Sequence, residues 1–211
     1  MKNQLFILLI LLSPSIGWAQ KTNSVSLNLS HGLSLSTFIF TNSQNEHSKD
    51  IDYSLGNSFT AGLNFHLKSR HLFETNLSFF QTGAKSVSNQ SEIKWNLNYL
   101  GFGVGYGYKL INKPSYTFTP GISFSENFML KGEQYINSKR YDLISLNAFK
   151  QWNLLTAIFL QNQFRLNDKV SLNINYQFGV GLIQIEKNDA PQEQKTRTIG
   201  HQLTYGITIN L

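Results

Sequence analysis

The chain has no cysteine. That removes a disulfide framework, a thiolate metal site and a lipid-bearing cysteine at a cleavage point. Charge is sparse. Asp, Glu, Lys and Arg make up 14% of the 211 residues, against about a quarter in an average soluble domain. Long apolar runs are missing too. The run Leu5–Leu12 falls far short of the about 20 residues that a membrane-spanning helix needs. The formal net charge is +6. Its basic residues are scattered through turns and loops and form no stripe, which argues against nucleic acid as a partner.

The N-terminus reads as a targeting segment. Lys2 precedes the apolar run, and Gly17-Trp18-Ala19 puts small residues where a signal peptidase reads. Cleavage is expected before Gln20, with residues 1–19 as signal peptide and 20–211 as one domain. Losing Lys2 lowers the balance from +6 to +5.

From Gln20 onward the chain is rich in Ser, Asn, Gln and aromatic residues, and it alternates. Val25–Leu35 carries apolar residues at every second position, as a strand with two unlike faces does. The pattern returns over Ser58–Leu67, Phe73–Phe79, about Glu92–Leu110, Tyr116–Leu130, Trp152–Leu166, Val170–Leu182 and Ile199–Leu211. In the fourth strand the apolar set moves from odd (Ile93, Trp95, Leu97, Tyr99) to even (Leu100, Phe102, Val104). One inserted residue, a β-bulge between Tyr99 and Leu100, would produce that switch. Gly101, Gly103, Gly105 and Gly107 then share the other face, leaving room for bulky neighbours.

The connections alternate between long and short. Long ones are expected at Thr41–Leu55, Gly83–Ser91, Lys131–Lys150 and Glu186–Arg197. Short turns are expected at Lys68–Arg70, Ile111–Pro114 and Asn167–Asp168. All long loops therefore lie at one end. An even strand number, long loops at one end and short turns at the other are the layout of an outer-membrane barrel. The pattern predicts an all-β fold: an eight-stranded antiparallel up-and-down transmembrane β-barrel, with short periplasmic turns and long external loops. A soluble barrel would carry Lys and Glu on its polar face. Here that face is Ser, Thr, Asn, Gln and Gly, which suits a narrow filled lumen. Phe73, Tyr108, Tyr116 and Phe164 would form one aromatic girdle, and Phe59, Phe79, Trp95, Phe128 and Trp152 the other. The last strand should close the ring against the first, with Leu203, Tyr205, Ile207, Ile209 and Leu211 toward lipid.

The stretch Tyr99-Leu-Gly-Phe-Gly-Val-Gly-Tyr-Gly-Tyr-Lys109, a Pro-containing turn, then Tyr116-Thr-Phe-Thr-Pro-Gly-Ile-Ser-Phe124 resembles the outer-membrane β-barrel domain of Bacteroidetes often called PorT-like. The Ala-Gln cleavage site fits it. Two features depart from that pattern: Gly101-Phe-Gly103 follows Tyr-Leu, where the family often has Glu-Ile-Pro, and Leu211 stands at a position often aromatic. The resemblance implies residence in the cell outer membrane and adds an accessory role in protein secretion as a second function.

Four charged strand residues, Glu74, Lys94, Glu126 and Arg165, are expected to meet in the lumen, as buried charges must pair. The network would fill the barrel structurally; a proton or ion path is the alternative. His31 and His201 interrupt otherwise apolar faces, either as a pair across the seam or, more simply, through local inversion at a bulge. Glu46, His47, Asp50 and Asp52 read as a solvated loop before a cation site. No Ser-His-carboxylate pattern marks a triad, so no catalytic residue, metal or cofactor is expected. A narrow barrel is filled by its side chains, so the role expected is structural or interactive and not that of a diffusion porin. A lipid-modifying enzyme is the third reading. The partners expected are outer-membrane lipid, the barrel-insertion machinery during assembly, and a protein at loops Thr41–Leu55 and Lys131–Lys150.

Overall fold

The computed structural model describes residues 22–41, 51–67, 70–88, 91–186 and 195–211. The expected signal peptide and the loop residues Glu46, His47 and Asp50 lie outside them. Eight long strands form the wall: β1 (Thr22–Thr41), β2 (Asp52–Leu67), β3 (His71–Ser88), β4 (Ser91–Tyr108), β6 (Tyr116–Ile136), β8 (Trp152–Arg165), β9 (Val170–Gly181) and β10 (Lys195–Asn210). Two short arms, β5 (Ile111–Asn112) and β7 (Lys139–Asp142), pair with β6. The wall runs β4-β3-β2-β1-β10-β9-β8-β6, and β4 pairs with β6 to close it. Every pairing is antiparallel. This is the predicted eight-stranded up-and-down barrel.

The seam is where the alternation placed it. Leu27 faces Ile209, Leu29 faces Ile207 and Leu33 faces Leu203. Register also gives the stagger. From Leu27 the ladder passes through Leu63, Thr75, Val104, Phe124, Thr156, Val180 and Ile199, and returns to β1 at Thr37. One circuit therefore climbs ten residues, which tilts every strand against the axis.

Three register shifts adjust the wall, one of them at the foot of β1 between Thr22 and Ser24, and none is the bulge expected. β4 keeps one phase throughout, with Trp95, Leu97, Tyr99, Gly101, Gly103, Gly105 and Gly107 all buried inside. The extra residue lies in its partner: Asn98 pairs with Lys131 and Tyr99 with Met129, so Leu130 is bulged out of β6. The apparent phase switch in β4 is a change of surroundings instead. Below Tyr99 the outside is apolar and the inside polar. Above it, the apolar residues point in. The third shift, in β2 between Tyr53 and Ser58, opens the β2–β3 ladder. Ser34 Oγ of β1 reaches through to the Gln81 carbonyl (2.5 Å), and Ser36 Oγ bonds the Gly83 backbone. Gly56 permits this, since a Cβ there would lie 2.7 Å from Ser34 Oγ.

The strands also run farther than expected. β3 and β4 reach Ser88 and Ser91, so the second loop is a short hairpin connection. β6 runs 21 residues, about 70 Å at ~3.3 Å per residue. That is far more than the 9–11 residues that cross a bilayer. The surplus stands above the long-loop rim. There Asn137 (φ 47°) and Ser138 (φ 68°) form the turn into β7, as a two-residue hairpin with positive φ at both positions requires. The segment 131–150 is thus a hairpin followed by a fold-back. Asp142 Oδ1 accepts bonds from the Ile144 and Ser145 amides, and Lys150 N donates to the Ile185 carbonyl.

Candidate functional site

The lumen is the site that this wall encloses. Its inward positions are Ser26, Ser30, Asn64, Thr119, Ser123, Asn173, Thr204 and Thr208, all buried, while Leu33, Leu77, Ile122, Ile158 and Leu203 stand exposed outside. Apolar outside and polar inside is the reverse of a water-soluble barrel and fits hydrocarbon around the wall.

Inside, polar side chains bond to one another along the wall, in three cases over an intervening strand. Asn173 Nδ2 donates to Asn28 Oδ1 (2.6 Å) and to Thr208 Oγ1 (3.2 Å). Gln177 Nε2 donates to Ser123 Oγ (2.8 Å), and Gln202 Nε2 donates to Ser58 Oγ. Phe159 lies wholly buried against Gly107 and Gly121. Both glycines are needed for its ring, since a Cβ at either would meet Phe159 Cζ within contact distance. What remains is a cavity of about 110 Å³, lined by Asn28, Thr60, Glu74, Asn76 and Gln177 among others.

Toward the long-loop end the inward-facing residues become an apolar cluster. It comprises Phe38, Ala84, Trp95, Leu97, Tyr99, Met129, Leu143, Phe149 and Ile185. Phe38 packs edge-on against Trp95 (6.0 Å) and Phe149 (6.2 Å), and Phe80 stacks on Tyr99 (5.6 Å, 19°). The fold-back after β7 supplies Leu143 and Phe149. The wall around this cluster is polar outside, with Asn96, Asn98, Lys131 and Lys94 on the outer face. Trp95 is therefore core and not part of the girdle, a correction that follows from the unswitched phase of β4. Phe59, Phe79, Leu100, Phe128 and Trp152 do run in register around the outside.

The four charges expected in the lumen are not brought together. Glu74 is inside and buried, with its Cγ over Gly105. Glu126 shares the parity of Phe124 and Phe128 and faces outward between Phe102 and Leu154. Lys94, freed from the supposed bulge, faces outward between Lys85 and Tyr135. Arg165 faces inward but sits exposed at the short-turn rim. Ion pairs form instead at the hairpin, where Glu133 Oε1 meets Lys131 Nζ (3.1 Å) and Arg140 Nε (2.6 Å).

Nor are the seam histidines inverted or paired. His31 is across from Tyr205 and His201 from Leu35, both on the outer face. Each is accommodated by a tyrosine. His31 meets the Tyr205 ring edge-on at 6.0 Å, and His201 Nδ1 is hydrogen-bonded with Tyr176 OH at 2.8 Å. His71 repeats the arrangement with Tyr106 OH at 2.7 Å. These His–Tyr contacts are cross-strand, and only register, which spacing along one strand does not supply, could have revealed them. Asp52, the described member of the loop cluster, opens β2 and is exposed. Among the described residues no three His, Asp or Glu side chains are grouped to hold a metal ion.

The outer-membrane protein OprG from Pseudomonas aeruginosa has the same architecture. The two superpose with a TM-score of 0.53 at 9% identity, over 90% of this chain and 97% of that one. The fold is that of a small outer-membrane β-barrel. Neisserial surface protein A gives a TM-score of 0.49 at 9% identity, over 87% of this chain and 96% of that one. Ail of Yersinia pestis gives 0.44 at 11%, over 88% and 99%. No protein-family model matches the chain, and no curated protein matches it in sequence. The PorT-like resemblance is accordingly not shown, and its motif is confined to Tyr99–Phe124.

Proposed function

We propose that the protein is an integral outer-membrane barrel acting through its external face, as a structural or interaction protein and not as a diffusion pore. The observation that supports this reading is the narrow lumen: inward polar side chains bond to one another along its wall, and an apolar cluster packs inside toward the long-loop end. Among the described residues, Trp95, Leu97, Met129 and Phe149 present an apolar packing there and no polar lining. The external end, by contrast, is built. Its β6–β7 hairpin is held by a two-residue turn and by Glu133 between two cations, so it offers a rigid surface at little ordering cost.

Two experiments test this. In planar bilayers the purified protein should give no stepwise conductance; regular openings would overturn the narrow-lumen reading. Since the native chain has no cysteine, single cysteines report topology cleanly. Ser138→Cys in the hairpin turn should react with a membrane-impermeant maleimide on intact cells, and Asn167→Cys in a short turn should not. The reverse labelling would abandon the external-face reading. Deletion of the gene with an unchanged secretome would set aside a role in protein secretion, and a matching lipid-A profile would set aside a lipid-modifying activity.

A further inference from the structure

The short-turn end differs in charge from the rest of the barrel. Its described residues include Arg70, Lys109, Lys113, Arg165 and Lys169 against the one acid Asp168. Most of these project into solvent, but two converge. Arg165 is the last inward position of β8, and Lys109 opens the turn that follows β4 and folds back over the mouth. Lys109 N donates to the Arg70 carbonyl, and the ends of that turn are tied by the Lys113–Tyr116 backbone pair. Together they line a cavity of about 200 Å³ with His66, Gln163, Ser171 and Asn210.

Among the described residues no Asp or Glu lines this cavity. Two cations held in one concave space repel each other, and burial and the Arg165 charge both push the Lys109 ammonium below its ordinary value. The remaining lining is rich in hydroxyl and amide donors, and His66 Nδ1 is buried with no partner among the described residues, its Nε2 being hydrogen-bonded with Ser26 Oγ at 3.1 Å. A guanidinium offers a planar fork that matches a tetrahedral oxyanion, and a lysine adds a mobile point charge. The volume is several times the about 30 Å³ share of one water, enough for a phosphate group with a small substituent.

We propose that the short-turn mouth is a binding site for a phosphate-type oxyanion, held between Lys109 and Arg165. The anion relieves the repulsion between the two cations, and the donors on Gln163, Ser171 and Asn210 meet its remaining oxygens. A soluble phosphate and a lipid headgroup reaching in from the adjacent leaflet share this chemistry.

The full chain, folded in detergent micelles and checked by its heat-modifiable gel band, is titrated calorimetrically with inorganic phosphate at low salt. A saturable single site is expected. Lys109→Gln and Arg165→Gln should each weaken it about tenfold, a change of about 1.4 kcal/mol. Arg165→Lys, which keeps the charge and loses the fork, should fall between. Lys113→Gln, on the same turn but exposed, should change affinity less than about twofold. Absence of saturable binding would overturn the proposal. So would an equal loss in Lys113→Gln, because the effect would then belong to general surface charge. Nanodiscs separate the sources. Weaker phosphate binding in phosphatidylglycerol than in phosphatidylcholine discs assigns the site to a lipid headgroup, and equal binding assigns it to a soluble phosphate.

Discussion

The same strands do opposite things in two regions. In the belt, below Tyr99 on β4, side chains at Leu100, Phe102 and Val104 face outward and glycines face in. In the cap, above it, Trp95 and Leu97 face in, and Asn96 and Asn98 face out. Backbone, register and pleat continue through the boundary; only the solvent changes. The belt meets hydrocarbon and puts its polar groups inside, where they must satisfy one another. The cap meets water and buries an ordinary apolar core. Polarity along a strand therefore reports the medium outside, and the pleat alone reports direction.

Cap and belt can be perturbed separately. The largest effect is expected for Trp95→Ala, which empties the centre of the cap core and should cost about 3–5 kcal/mol. In a chain produced from Gln20 onward, without Trp18, Trp152 in the belt then serves as the fluorescent reporter. If cap and belt are separable, unfolding followed at Trp152 and the heat-modifiable band should be little altered; loss of the band would make them one cooperative unit. Next comes Ile207→Lys, exposed on the outer face of the belt. It should cost about 2–4 kcal/mol near the midplane, measured by urea-dependent folding into liposomes. Asn98→Lys, outward on the cap, should stay within about 0.5 kcal/mol, and equal costs would end the distinction. Thr208 is not the benign counterpart of Ile207 that alternation suggests. It is wholly buried beneath Asn173, so a charge there is stripped of water as well. Gly121→Ala should cost about 1–3 kcal/mol by displacing the Phe159 ring, and Phe159→Leu in the same chain should recover part of it. The smallest effect is expected for Glu133→Gln. Its cationic partners are largely exposed, so the loss should be about 1 kcal/mol or less and should shrink as salt is raised.

The belt is legible in the sequence because alternation there has one cause. It assigns Leu203, Ile207 and Ile209 to the outer face and to a partner in Val25–Leu35, and the register places them so. The cap is not legible, because a period of two gives a strand two faces without saying which is wet. Ile93–Tyr99 and Leu100–Leu110 then look like two phases of one rule, and a bulge is the economical way to reconcile them. The bulge that exists, at Leu130, leaves no comparable mark, because Leu130 and Lys131 both face outward where belt gives way to cap. Glu126 is misplaced for a simpler reason. Its parity puts it outside, and the expectation that strand charges pair in the lumen overrides that parity. The convergence of Lys109 with Arg165 joins a turn to a strand 56 positions later, which no local spacing records.

The seam has a further consequence, in time. Its lowest rung joins Ser26 to Asn210, so the second edge of β1 is satisfied only by a strand at the far end of the barrel sequence. Neighbouring hairpins can form locally, but the ring cannot close until β10 reaches β1. Contacts so distant along the chain are slow to form, and the two open edges are templates for pairing with other chains meanwhile. A barrel closed by its first and last strands must therefore be kept apart from its own copies until closure, and the time spent open, more than the stability reached afterwards, sets how much of it survives.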